Sequence, residues 1–137
     1  MSNKLYPKWK EALLQGASDS SLAGTVKAIL VDLADYTYLD AHQFLSDVPG
    51  AARVAMMASG LVGKDYTLGV FDATNITWPT VVGDVSEAII LFIDTGVEGT
   101  SRLVCYLDTG ITGIPVTPNG GDIDTSWDDG ANKIFQL

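Results

Sequence analysis

Apolar residues follow two rhythms along this chain. Over YPKWKEALLQGA, residues 6–17, Trp9, Leu13 and Leu14 recur near one face of a 3.6-residue helix, with Pro7 suited to its first turn and Gly16 to its end. About three turns is marginal in water, so such a helix must lie against the body or a partner. From Thr25 the rhythm changes. TVKAILVDL, EAIILFID and SRLVCYLD are short runs rich in apolar and β-branched residues, and RVAMMASGLVG, YTLGVFDATNITWP, DIDTSWDD and KIFQL also read as strands. Gly, Pro, Asn and Asp separate them at roughly 8–12 residue intervals, the spacing of a sandwich or barrel. Pro79, Pro115 and Pro118 mark strand ends, because proline cannot donate within a central ladder.

The pattern predicts a mainly β chain, an antiparallel β-sandwich or barrel-like domain of about 7–8 short strands with one N-terminal amphipathic helix. Residues 1–24 supply an N-terminal arm, the helix and the polar connector SDSSLAG, and residues 25–137 a single β-domain. The segment ADYTYLDAHQFLSDVPGAAR is the least regular, with Asp40 a candidate cap for a short helix over Ala41–Leu45 before a turn at Pro49-Gly50. A long connection there suits a crossover between sheets.

Two of the apolar runs end alike, in IILFIDTG (89–96) and LVCYLDTG (103–110), with Asp94 and Asp108 fourteen positions apart. Asp-Thr-Gly after a strand resembles the catalytic loop of aspartic proteases, in which two carboxylates share a proton. A hairpin joined by TGVEGTS places these two at opposite ends, on the order of 20 Å apart. Val97 and Ile111 also stand where that family has Ala, Ser or Thr. The triplets therefore read as strand ends, where Asp accepts local backbone bonds and Gly supplies positive φ. Neither run has a polar face by alternation. Such a hairpin needs cover on both sides, from a second sheet on one and from the helix or another subunit on the other.

Composition adds a surplus of apolar surface. With 137 residues, 47% of them hydrophobic, the chain makes one domain, and its mean hydropathy of +0.21 points to subunit interfaces. Charge narrows the partners. The net charge is −9, but Lys4, Lys8 and Lys10 give the first ten residues +3, leaving −12 on the rest from 5 basic and 17 acidic side chains. That body repels phosphate backbones, which argues against nucleic acid. No apolar run reaches the roughly 18 residues of a membrane span, and MSNKLYPKWK lacks a signal-peptide core, so synthesis in the cytoplasm without a membrane anchor is expected.

Candidate chemistry is sparse. Cys105, the only cysteine, excludes an internal disulfide and a cysteine zinc site, and its apolar run suits a buried inert thiol. His42 is the only histidine and no GxSxG elbow accompanies it, so it reads as a surface or cap residue. Asp122, Asp124, Asp128 and Asp129 lack the EF-hand spacing and its closing Glu, and read as solvated turn residues. PNGG lacks the lysine of a phosphate loop. The expectation is a chain that is not an enzyme and takes no metal or cofactor. Lys4, Tyr6, Lys8, Trp9 and Lys10 form the candidate protein-contact set, since aromatics anchor and basic charges steer docking on an acidic surface. The competing reading packs Trp9 into its own domain and leaves the lysines solvated. Trp78 and Trp127 are core candidates, either of which could stack on a sugar if exposed.

Taken together, NKLYPKWKEALLQG, TVKAILVD followed by DYTY, AHQFLSDVPGAARVA, GVFDATNITWP, LDTGITGIPVTPNGGDI and WDDGANKIFQL resemble small virion-associated proteins of tailed bacteriophages. The resemblance runs along nearly the whole chain as a texture and transfers no functional residue. It implies a structural protein of the virion, first a capsid decoration (cement) protein that bridges capsid subunits. The implied partners are the major capsid protein or another virion protein, and copies of the chain itself, a homotrimer associating through apolar strand faces. The alternatives are a tail, baseplate or fibre-adaptor protein and a carbohydrate- or receptor-binding module.

Overall fold

The three longest strands, of six residues each, form in the most apolar runs of the chain. The computed structural model describes residues 2–137, which form nine strands and one α-helix. In chain order these are β1 (Lys4–Leu5), α1 (Pro7–Gln15), β2 (Val26–Val31), β3 (Arg53–Met56), β4 (Val70–Phe71), β5 (Ile76–Trp78), β6 (Ala88–Ile93), β7 (Arg102–Leu107), β8 (Ile123–Thr125) and β9 (Phe135–Gln136). A five-stranded sheet has the order β1-β7-β6-β2-β3, every neighbouring pair antiparallel. Two further ladders pair β4 with β9 and β5 with β8. The mainly β, antiparallel class with an N-terminal helix is as expected, with nine strands and not 7–8. The barrel option fails, because the large sheet ends at β1 and β3 without closing.

β6 and β7 are the centre of the sheet, and their side chains are buried on both faces apart from Arg102 at the start of β7. The cover comes from the chain itself. On the face carrying Tyr106, the rings of Tyr36 and Tyr38 lie 6.4 and 5.6 Å away, and Tyr6 packs on Tyr38 at 5.0 Å. These tyrosines belong to the irregular segment and to the residue between β1 and α1, so the connection is a lid on the sheet. The faces of β6 and β7 are already filled within one chain, so they are not the open surface that the expected association through apolar strand faces would use.

The short helix expected over Ala41–Leu45 is absent. Phe44 is extended at φ −124°, ψ 164°, and bridges Arg102 of β7, while a single 3₁₀ turn follows at Leu45–Asp47. The Asp47 carboxylate accepts the backbone N–H groups of Gln43 at 2.7 Å and Phe44 at 3.0 Å, which together with the bridge to Arg102 holds Phe44 extended.

α1 begins with Pro7 at its first turn and ends at Gly16, whose φ of +68° opens the left-handed cap. Gly16 N–H donates to Leu13 O and Ala17 N–H to Ala12 O. The helix buries Trp9 and Ala12 and leaves Leu14 89% exposed, so Leu14 is not on the packed face assigned to it. Trp9 Nε1 donates to Ser20 O at 2.9 Å, and its ring meets Phe135 edge-on at 5.6 Å. Arg102 ties the following connector to the sheet through Asp19 at 2.8 Å.

Candidate functional site

The candidate contact residues separate by depth. Tyr6 is 0% and Trp9 1% exposed, so neither aromatic can anchor a partner, and both serve the core. The physical reason is that β1 pairs with β7 and Tyr6 N–H donates to Val104 O, which draws the N-terminal segment into the sheet. Lys4 and Lys10 are exposed, and half-buried Lys8 pairs with Glu11 at 3.0 Å one helical turn on. Lys4 lies on β1, whereas Lys8 and Lys10 lie on α1 two positions apart and so on different sides of the helix.

Asp94 and Asp108 stand beyond opposite ends of the β6–β7 hairpin. Ile89 pairs with Leu107 and Ile93 with Arg102, so six residues of strand, about 20 Å, separate the two carboxylates. Asp94 is paired with Lys27 at 2.7 Å and accepts Gly96 N–H at 2.9 Å. The bonds to Lys27 and Gly96 hold its carboxyl below the usual range. Asp108 accepts from Tyr106 OH at 3.2 Å, and its N–H donates to Asn3. Both act as strand-end residues.

His42 is half-buried and bonded through Nδ1 to Tyr36 OH at 2.8 Å, and Tyr36 OH meets Tyr6 OH at 2.7 Å. Burial pushes the Tyr6 hydroxyl far above its ordinary value, with Tyr36 adding to the effect. Burial likewise pushes Tyr36 to about 12 against the lowering effect of its bond to Tyr6. The relay was invisible in sequence because Tyr6 lies thirty positions from Tyr36. Burial also pushes the Cys105 thiol upward, which suits an inert side chain.

The acidic tail does not gather. Asp122 accepts Thr80 N–H, Asp124 accepts Thr77 Oγ1 and Asp128 accepts Gly130 N–H, three separate turn and ladder duties. A different trio, Asp32, Asp35 and Asp84, brings carboxylate oxygens within 4.8 Å of one another, the one such group among the described residues. Each could offer one oxygen to a cation, although Asp32 already accepts Ala34 N–H. Trp78 and Trp127 are 2% and 6% exposed, with Nε1 donated to Thr125 Oγ1 and Thr74 O. Neither presents a face on which a sugar could stack.

Two surface depressions are apolar. One, of about 400 Å³, is lined by Trp9, Leu13, Leu22, Tyr66 and Leu137 beside α1. Its rim is held by Lys64 Nζ and Tyr66 OH, which both donate to Leu22 O. Leu137 is 66% exposed there. The other, of about 350 Å³, runs between β3 with the residues after it and β5.

These features define a mainly β, antiparallel protein with an N-terminal helix, one gathered carboxylate trio and two apolar surface depressions. No family model matches the chain, and no curated protein matches it.

Proposed function

We propose that this chain is a structural protein of a tailed-bacteriophage virion, and that it decorates the capsid. Its sequence texture suggests the setting. The observation that carries the contact reading is the outer side of α1, where Lys10 and Leu14 are exposed beside the apolar depression at Leu13, Leu22, Tyr66 and Leu137. On a chain of net charge −9, that basic and apolar face is complementary to an acidic surface of another virion protein. Lys4, Lys8 and Lys10 supply the steering charge, while the apolar groups supply area. Many copies, each making modest contacts across neighbouring capsid subunits, would add up to resistance against internal pressure.

Removing residues 1–10 would not test this, because it removes β1, Tyr6 and Trp9 together. Charge reversal does. The triple substitution Lys4→Glu, Lys8→Glu and Lys10→Glu breaks one exposed ion pair, worth about 0.5 kcal/mol, and should leave the fold intact. Co-sedimentation with undecorated particles should fall at least tenfold, and unchanged binding would sink the assignment of the lysines. Quantitative mass spectrometry of virions tests the location. Hundreds of copies support decoration, whereas a few to several tens would replace it with a tail or baseplate position.

A further inference from the structure

The β3–β5 depression has an unusual pair of walls, because both are strands bonded on one side only. β3 pairs only with β2, and β5 only with β8. Met57 N–H donates to Ala28 O, so by antiparallel alternation Met56 turns its N–H and C=O groups away from β2, and Ala58 opens the bend that leads to Leu61, whose N–H returns to Val26 O. Among the described residues no backbone group accepts the Ala58 N–H. On the opposite wall Ser126 exchanges both backbone bonds with Thr112, which directs Thr125 and Ile123 of β8 toward β5. Thr77, between their partners Ile76 and Trp78, then faces its backbone groups into the depression. Met56, Ala58 and Thr77 are exposed, and all three line it.

The remaining lining is largely apolar, with Ala55, Met57, Ile76 and Trp78 among it, and contains no charged side chain. Asp124, bonded to Thr77, and Asp122, bonded to Thr80, stand exposed on the β5 side. Neither has a basic partner within ion-pair distance among the described residues. Unbonded backbone groups on both walls, at Met56 and Ala58 and at Thr77, match another extended backbone better than a small apolar molecule. The acidic flank selects its charge.

We propose that this depression receives an extended segment of a partner protein, apolar at alternate positions and flanked by lysine or arginine, which adds as a strand to β3 and bonds Thr77 across the gap. The proposal stands on this geometry alone and does not depend on the virion assignment. The probe is a capped heptapeptide of alternating valine and threonine with lysine at each end, titrated into the full ¹⁵N-labelled chain. Saturable amide shifts should appear at Met56, Ala58 and Thr77 and stay small on β6 and β7. Methylating alternate peptide nitrogens should abolish binding, because it removes the ladder donors. Replacing both lysines with glutamate should weaken it at least tenfold, and Asp122→Lys with Asp124→Lys should restore the glutamate peptide. Ala58→Pro should remove binding while the spectrum elsewhere is kept; if that variant fails to fold, the methylated peptide decides. No saturable shift, or equal binding of the methylated peptide, would overturn the proposal. Concentration-dependent dimerisation through this edge, with no peptide bound, would also overturn it and make a second copy the occupant.

Discussion

Trp9→Ala separates a core residue from a docking anchor. The ring is 1% exposed, donates Nε1 to Ser20 O at 2.9 Å and meets Phe135 edge-on. Truncating a buried tryptophan costs about 3–5 kcal/mol through lost transfer energy and the cavity left behind. With a urea dependence of about 2 kcal/mol per molar, a loss near 4 kcal/mol lowers the midpoint by about 2 M. Trp9→Phe keeps the edge contact but leaves Ser20 O without its donor, so it should cost about 1–2 kcal/mol and shift the midpoint by about half a molar to one molar. Urea unfolding followed by far-ultraviolet circular dichroism measures both. If Trp9→Ala stayed within about 1 kcal/mol of the parent and lost only partner binding, the ring would be an external anchor and the packing described above would be wrong.

Asp94, whose native pKa is depressed by Lys27 and Gly96, contributes stability that is present above the ordinary carboxylate range and lost as pH falls through the native value. Urea midpoints should therefore drop between pH 6 and pH 3, and Asp94→Asn should flatten part of that drop. Tyr6 and Tyr36 are raised by burial, so their contribution is complete below about pH 10 and declines as pH rises toward and past 12. Tyrosinate absorbance should show them ionising together with loss of near-ultraviolet circular dichroism, and early ionisation without unfolding would contradict their burial. Gly113 has φ +105°, and an added Cβ would overlap the Asp124 carbonyl, whereas Gly96 at φ +87° has open space around it. Gly113→Ala should cost about 3 kcal/mol or more and Gly96→Ala about 1–2, from the left-handed backbone alone, as read by thermal melts.

How much of this was legible depended on whether a signal was local. β2, β6 and β7 stand out in sequence because burial on both faces demands uninterrupted apolar runs, and their observed ends fall within one or two residues of those runs. α1 was legible from its period, its proline and its terminal glycine. What lay against it was not, since periodicity identifies an apolar face and says nothing of its cover. Tyr6 and Trp9 accordingly looked like a docking pair. Two-residue strands such as β1, β4 and β9 carry no period, and exist because a neighbouring edge offers bonds. The Ala41–Leu45 helix failed for a comparable reason: Asp47 and Arg102 hold Phe44 extended, and neither tie is written into the residues' own propensities.

The hairpin bearing IILFID and LVCYLD shows where the apolar surplus goes. Without a polar face it required cover on both sides, and another subunit was one way to provide it. Tyr6, Tyr36 and Tyr38 provide cover from within on the side of Tyr106, through rings that converge from two distant parts of the chain. A subunit interface cannot use that face without expelling these rings, which would expose several large aromatic surfaces, each worth roughly 2–3 kcal/mol in burial. Assembly as proposed above would instead use what the single chain leaves unsatisfied. Those features are the α1 depression, with exposed Leu137 in its lining and Lys10 on the same helix, and the depression where Met56 and Ala58 line one wall and Thr77 the other. The first offers area and charge, the second offers hydrogen bonds with a fixed register. Under the virion proposal, a particle-building role would rest on the rim of this fold and leave its centre unchanged.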